Sequence, residues 1–198
     1  VRVGKVRYVG YSNFPAWQTM KALAIADANK QARFVSAQMY YSIAGRDIER
    51  EVVPLALDQN LAILPWSPLA GGLLSGKFDA NKQGPAGARR SGFDFPPVDH
   101  GRLPGVLDAL RQVSQETGLS VARIALAWVL TRPFVTSVII GAKNPDQLAD
   151  NLAASDVTLT AAQIAHLDAA SALPREYPGW MVDRQNHETR NAKRYSPP

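Results

Sequence analysis

The strongest constraint on the fold is a fourfold alternation of short apolar runs with helix-like segments. The runs occupy positions 6–10, 34–39, 61–66 and 136–140. Each is followed by polar, glycine or proline residues and then by apolar residues at helical spacing. Strands that alternate with helices form parallel sheets. The sequence therefore predicts an α/β fold with four parallel strands, buried on both faces, and flanking helices.

The helices between the runs also have recognisable signals. The first helix is expected to turn Trp17, Met20 and Leu23 towards the core, because these residues fall at helical spacing. Thr160 and Gln163 form the pattern of a capping box at the start of the last clear helix. These signals predict which face the first helix buries and where the last clear helix begins.

Two segments lie outside this alternation. Residues 67–102 form a connection rich in glycine, proline and charge, and so long a connection inside a domain is usually functional. Because it follows the carboxyl end of a strand, it is expected on the face where parallel α/β enzymes bind ligands. From about residue 173 the chain is rich in proline and polar residues. We therefore predict one domain over 1–172 and a C-terminal loop or tail over 173–198.

Composition restricts the class of protein. The 198 residues are 46% hydrophobic and 20% charged, and no apolar run reaches the roughly 18 residues that a membrane span needs. The lack of cysteine excludes disulfides and thiolate catalysis and argues against a structural zinc site. No signal peptide is visible, so we expect a cytoplasmic protein. The net charge of +5 comes from scattered lysines and arginines, so we expect no nucleic-acid or membrane partner and no metal.

The last apolar run leads directly into the start of a helix. The run ends at Gly141, and Lys143 follows. Asn144 suits the N-cap, Pro145 suits the first helical position, and Gln147 can close a capping-box-like pair. Free backbone N–H groups at such a junction, with a lysine beside them, can bind a phosphate. The segment therefore predicts a site for a nucleotide phosphate, although its sequence does not match the common nucleotide-binding motifs.

Polar or aromatic side chains lie at the ends of the other three runs. Ser12 and Asn13 follow the first run, Gln38 lies near the end of the second, and Trp66 and Ser67 end the third. Serine, asparagine and glutamine together can donate to and accept from a carboxamide, and an indole can stack on a planar heterocycle. This set suits a flat cofactor that carries an amide group.

At these motifs the sequence resembles the aldo-keto reductase superfamily, over nearly the whole chain. The most specific pieces are GKVRYVGYSNF at 4–14, LPWSPLAGGLLSGK at 64–77, and IIGAK at 139–143 followed by Asn151. The sequence looks closest to bacterial-type members. The resemblance implies the C-terminal half of a TIM (β/α)8 barrel, with NADPH or NADP bound in an extended pose without a Rossmann fold.

The resemblance also assigns cofactor-binding residues. Ser12, Asn13 and Gln38 would hold the nicotinamide carboxamide, and Trp66 would stack on the nicotinamide ring. The loop that would line the pyrophosphate contains Ser67, Pro68, Leu69, Gly71 and Lys77. The residues that would hold the adenosine 2′-phosphate and adenine are Gly141, Lys143, Gln147 and Asn151. Many members have arginine where Gln147 stands, so a preference for NADPH over NADH rests mainly on Lys143.

The catalytic tetrad of the family (Asp, Tyr, Lys and His) is expected before Val1, and no residue of this chain substitutes for it. We therefore expect an NADPH-dependent oxidoreductase sequence that reduces a small aldehyde or ketone by hydride transfer. The chain itself would be truncated and inactive alone. Trp180, in the predicted tail, is a candidate substrate contact.

Two alternatives remain open at this stage. The chain could be a regulatory aldo-keto-reductase-like subunit that binds NADP without catalysis. It could also be a half-barrel that pairs with the missing N-terminal half or with a second copy. Four parallel strands alone would leave two open edges, which favours association.

Overall fold

Three short parallel strands form the sheet in the computed structural model, which describes residues 1–78 and 93–188. They are β1 (Val9–Ser12), β2 (Phe34–Tyr40) and β3 (Ala62–Trp66), paired in chain order. The register places Ser12 beside Gln38. The second and third predicted runs thus form strands. The first run, predicted over 6–10, pairs with β2 only from Val9 onward. The carboxyl ends of all three strands lie at one edge of the sheet.

The fourth predicted strand, 136–140, is not a strand among the described residues. Two isolated bridges connect this segment to β3, Val135 with Ile63 and Ile139 with Trp66. The Ile63 carbonyl accepts from Thr136 N at 3.0 Å, and the Pro65 carbonyl accepts from Ile139 N at 2.8 Å.

Two features of the chain prevent a regular ladder at this edge of β3. Two residues lie between the donors Thr136 and Ile139, but only one lies between their acceptors Ile63 and Pro65, so one residue is extra, as in a bulge. Pro65 also has no N–H to offer on the side that its carbonyl faces. The sheet therefore has three strands where the sequence predicts four.

The helices surround this sheet and continue beyond it. Their bounds are α1 (Ala16–Ala28), α2 (Val52–Gln59), α3 (Leu103–Thr117), α4 (Val121–Leu130), α5 (Pro145–Leu152), α6 (Ala161–Ala170) and α7 (Gly179–Glu188). Short 3-10 segments cover Asp47–Glu49, Ala70–Ser75 and Ala153–Asp156. In the ranges described, no helix combines the length and the apolar composition needed to cross a membrane.

The predicted tail contains a helix, which corrects the expectation of a loop over 173–198. Pro174 and Pro178 both precede α7, and the Pro178 carbonyl accepts hydrogen bonds from the backbone N–H groups of Met181 and Val182 at 2.9 Å. Proline is well tolerated at a helix start, so the composition of the whole segment was misleading. Residues 189–198 of the predicted tail, and 79–92 of the predicted long connection, lie outside the described residues.

The sheet is buried on one face only. The face towards α1 and α2 carries Tyr11, Ala37 and Ile63, which are buried in a cluster with residues of both helices. On the opposite face, Ser12 and Gln38 are exposed. The predicted burial of both faces is therefore wrong for the described residues, which place helices against one face of the sheet.

α1 buries a different stripe from the one predicted. Leu23 is fully buried, but Trp17 is 65% exposed and Met20 is 39% exposed. The buried stripe runs through Thr19, Leu23 and Ala26, at intervals of four and three residues. Two of these residues are small, which allows the helix to approach its neighbours closely. The largest apolar residues of α1 were therefore poor guides to its inner face.

A second core cluster lies around Trp128, which is fully buried in α4. The Arg132 guanidinium lies 4.3 Å from the centroid of the Trp128 ring, and that of Arg46 lies 5.1 Å from it. The indole N–H donates to Asp168 Oδ1 at 3.0 Å, and Arg132 donates to both Asp168 oxygens at 3.0 and 3.2 Å. The carboxylate of Asp168 in α6 therefore pairs with Arg132 and, at 3.4 Å, with Arg46, the two cations that lie against the tryptophan ring.

We expect Asp168→Ala to lower the free energy of unfolding by about 2 kcal/mol. The change leaves the Trp128 indole N–H and the Arg132 guanidinium without their acceptor. Urea unfolding followed by circular dichroism measures the loss. Asp108→Ala is the matched control, because Asp108 is 73% exposed and, among the described residues, pairs with Arg111 of the same helix. The control should change stability by less than about 0.5 kcal/mol, and equal losses in the two variants would contradict the assignment.

Candidate active site

One groove of about 810 Å³ lies between the loop that follows β3 and the segment that leads into α5. This volume falls within the range of small-molecule and cofactor sites, about 300–1,000 Å³. Ten of the thirteen predicted cofactor-binding residues line it, namely Trp66, Ser67, Pro68, Leu69, Gly71, Lys77, Gly141, Lys143, Gln147 and Asn151. Residues that are far apart in the sequence therefore lie together along one groove, and their role in binding a cofactor stays a prediction.

The loop after β3 is held in an unusual backbone conformation. Ser67 and Ala70 have positive φ angles of 52° and 49°, and Gly71 and Gly72 follow with φ angles of 66° and 102°. The Gly71 N–H donates to Ser67 Oγ at 3.0 Å. Non-glycine residues rarely adopt positive φ, and such strain is concentrated at ligand-binding sites. The loop therefore has the backbone of a site in which main-chain groups approach a ligand.

Buried side chains fix the far side of this loop. Ala70, Leu73 and Leu74 are part of the cluster around Trp128. At the end of the loop the Phe78 carbonyl accepts a hydrogen bond from the Arg111 side chain at 3.0 Å. The groove-facing glycines thus rest on packed apolar residues, which keep the wall of the groove in place.

The other wall begins at Gly141 and ends in the first turn of α5. Asn144 caps the helix as predicted, since its Oδ1 accepts from Gln147 N at 2.9 Å. Gln147 Oε1 in turn accepts from Lys143 N at 3.0 Å. An ideal Cβ at Gly141 would meet no atom within 4 Å, so the backbone is open to the groove there. Asn151 Nδ2 donates to the Gly141 carbonyl at 3.3 Å and fixes that turn.

These bonds reduce the number of free N–H groups at the start of α5. The amides of Lys143 and Gln147 are already satisfied by side chains of the same turn. Asp146 adds a negative charge in the first turn. An anion at this end of the groove would therefore depend on the exposed ammonium group of Lys143 more than on the helix start itself.

The indole of Trp66, the last residue of β3, also lines the groove. Its Nε1–H donates to Asn13 Oδ1 at 3.0 Å, which fixes the ring across the end of the sheet. The Tyr40 ring lies 5.3 Å away, tilted by 42°. The Phe95 ring lies 5.6 Å away at only 13° and is stacked on the indole.

The structure places Ser12, Asn13 and Gln38 together, beside the groove. Ser12 Oγ donates to the backbone carbonyl of Gln38 at 2.9 Å, and the backbone N–H of Asn13 donates to the same oxygen at 3.3 Å. None of the three lines the groove directly, and Asn13 reaches it through its bond to Trp66. Their role in holding a carboxamide stays a prediction.

A polar cluster at the groove was missed from the sequence. Asp150 Oδ1 accepts from Arg123 Nη2 at 2.6 Å and from Nε at 3.0 Å, and Asp150 Oδ2 accepts from Ser120 Oγ at 2.6 Å. Ser120 also caps α4 through a bond from Arg123 N at 3.1 Å. No local pattern signals the cluster, because the bond from Ser120 to Asp150 joins residues 30 positions apart. This cluster fastens α5 to the start of α4.

Among the described residues, no tyrosine or histidine lines the groove. Burial raises the pKa of Tyr41 far above its ordinary value, and its hydroxyl donates to Glu49 at 2.6 Å. His166 lies exposed on α6, and His100 lies 3.8 Å from Asp94. Trp180 packs near Tyr177, 6.0 Å between ring centroids, and does not line the groove.

The fold and the groove define an α/β protein with an extended ligand site at the carboxyl ends of parallel strands. The Aldo/keto reductase family model matches residues 1–172, and the chain belongs to this family. Membership confirms the resemblance drawn from the three sequence motifs.

The curated relatives are similar over most of this chain. A Bacillus subtilis protein named uncharacterized oxidoreductase YrpG is 40% identical over 80% of the chain and 47% of its own length. Versiconal hemiacetal acetate reductase of Aspergillus parasiticus is 30% identical, over 90% of the chain and 52% of its own length. Protein tas of Escherichia coli is 33% identical, over 85% and 49%. The chain thus spans about half the length of the curated relatives it matches.

We expect Asp150→Asn to destabilise the chain by about 1–2 kcal/mol, because it removes the charge that pairs with Arg123. Thermal and urea unfolding measure the change. Asp146→Asn is the matched control in the same helix, since Asp146 is exposed. It should cost no more than about 0.5 kcal/mol. A loss at Asp150 no larger than that at Asp146 would show that the cluster does not fasten α5.

Proposed function

We propose that this sequence belongs to an NADPH-dependent aldo-keto reductase that reduces a small aldehyde or ketone by hydride transfer. The observation that carries the proposal is the single groove lined by ten predicted cofactor-binding residues. Family membership supports the reaction class, and two of the relatives described above are named as a reductase and an oxidoreductase.

The groove fits an extended dinucleotide in chemistry as well as in size. Trp66 offers an aromatic surface for the nicotinamide ring, and the loop from Ser67 to Lys77 offers a glycine backbone and a cation for the pyrophosphate. Lys143 and Asn151 offer a cation and an amide for the adenosine end. When bound, the cofactor supplies the hydride. The residues of this chain bind and orient it.

We propose that the chain alone does not turn over substrate. Carbonyl reduction needs a proton donor near the operating pH, and the raised pKa of Tyr41 keeps its hydroxyl protonated and bonded to Glu49. In this proposal the catalytic tetrad implied by the family belongs to a part of the protein that is not in the 198 residues. The proton-donating residues would come from the remainder of the barrel.

The preference for NADPH over NADH is proposed to be modest. Lys143 lines the groove and would supply the cation that contacts a 2′-phosphate. The carboxylate of Asp146, in the first turn of α5, would repel that phosphate. Gln147, at the position where many relatives carry arginine, is bonded to the Lys143 backbone. Neither side chain offers the two-pronged contact that arginine makes with phosphate.

Gln147→Arg should increase the preference for NADPH over NADH, measured as the ratio of the two dissociation constants by calorimetry on the 198-residue chain. We expect about a tenfold rise, which corresponds to about 1.4 kcal/mol from a new phosphate contact. Lys143→Met should weaken NADPH binding about tenfold and leave NADH within about twofold. The exposed Lys21→Met on α1 is the charge-matched control. Equal effects of Lys143→Met on both nucleotides would remove Lys143 from the phosphate site.

We also propose that the open face of the sheet is covered by the complementary half of a barrel. Ser12 and Gln38 are exposed there, and β1 pairs on one side only within the described residues. Since the chain spans about half the length of its relatives, the complementary half supplies the strands that β1 and 135–140 lack. A cytoplasmic setting suits this proposal.

Mixing the chain with the part of the Bacillus subtilis relative that does not align with it should give a complex of one copy each. Light scattering after size-exclusion chromatography measures its mass, and loss of NADPH absorbance with an aldehyde measures its activity. The chain alone should show no aldehyde-dependent loss of absorbance. A stable homodimer that excludes the second fragment would instead identify a second copy as the partner.

A regulatory subunit that binds NADP without catalysis is the second candidate. The open groove, together with the lack of an evident proton donor among the described residues, favours it. Tight NADPH binding with no turnover, even in the one-to-one complex, would select this function.

A further inference from the structure

A residue of the long connection already occupies a face of Trp66. The Phe95 ring stacks on the indole at 5.6 Å between centroids and 13° between planes, and both side chains line the groove. Phe93 stacks on Phe95 in turn, at 5.4 Å and 27°. This separation and angle are those of an offset-stacked aromatic pair.

The Trp66 ring cannot easily move away from Phe95. The indole N–H is bonded to Asn13, and the Tyr40 ring lies against the indole at a 42° tilt. Phe95, in contrast, is 41% exposed. A planar ligand that takes this face of the indole must therefore displace Phe95, because Trp66 is held from two other sides.

We propose that Phe95 sets the nucleotide affinity of the groove by competing for the face of Trp66 on which a nicotinamide ring would stack. The inference rests on the proposed function, since it takes NADPH as the ligand. Phe95 contacts the cofactor's stacking surface and lowers affinity, because its contact with Trp66 is lost when the nucleotide binds. A ligand that lacks a planar ring at the nicotinamide end binds without displacing Phe95 from Trp66.

Phe95→Ala should lower the dissociation constant of NADPH about threefold to tenfold in the 198-residue chain, measured by calorimetry. Adenosine 2′,5′-bisphosphate, which lacks the nicotinamide, should bind Phe95→Ala and the unsubstituted chain equally. Phe95→Tyr keeps the ring and should restore the original affinity for NADPH. Circular dichroism should show unchanged folding, because Phe95 is partly exposed.

A fluorescence measurement tests the stacked contact without any nucleotide. In a Trp17→Phe, Trp180→Phe background the remaining indoles are Trp66 and the fully buried Trp128. Adding Phe95→Ala should increase quenching by acrylamide, because it uncovers Trp66, whereas Phe95→Tyr should not.

Several outcomes would overturn the assignment. Unchanged or weaker NADPH binding by Phe95→Ala would do so, as would unchanged acrylamide quenching. Equal tightening for adenosine 2′,5′-bisphosphate would show that Phe95 acts on the whole loop and not on the nicotinamide end. If the unsubstituted chain binds neither nucleotide, the proposed function fails and the role of Phe95 fails with it. If it binds both and Phe95→Ala matches it, only the role of Phe95 is lost.

Discussion

The bonding of β3 on both edges is the constraint on which the rest of the structure depends. On one edge it pairs in register with β2, and on the other its carbonyls at Ile63 and Pro65 accept from the 135–140 segment. Both β2 and the 135–140 segment are bonded to β3. The turn at Ser67, which follows β3, and the turn at Gly141, which follows the 135–140 segment, therefore leave the sheet at a defined separation. The groove is the space between those two turns, so its width is set by a single strand.

The parts of the fold that could be predicted are those that depend on residues close together in the sequence. The capping box at Thr160 and Gln163 forms as written, and so does the Asn144 cap. The β2 and β3 runs were recognisable because a short apolar run of that length suits a buried strand. Two of the three family motifs, 64–77 and 139–143, identified most of the groove before any geometry was known, because each lies along one wall of it.

The parts that could not be predicted depend on contacts between distant residues. Trp17 faces solvent although it is the largest apolar residue of α1, because a stripe through Thr19 packs closer. The irregular fourth pairing combines an extra residue in the 135–140 segment with a proline in the neighbouring strand. The stacking of Phe95 on Trp66 joins a long connection to a strand end, and no local pattern encodes that contact.

Several polar groups of the groove are already hydrogen-bonded within the protein, and this determines how the groove can bind a ligand. The Lys143 amide is bonded to Gln147, the Gly71 amide to Ser67 Oγ, and the Trp66 indole N–H to Asn13. These bonds hold the walls in shape before any ligand arrives, which reduces the ordering that binding requires. They also mean that a ligand exchanges existing hydrogen bonds instead of filling empty ones, so the net gain per bond is small. Affinity must then come mainly from the charge of the lysines and from stacking on the indole, and the contact between Trp66 and its aromatic neighbour controls the second of these.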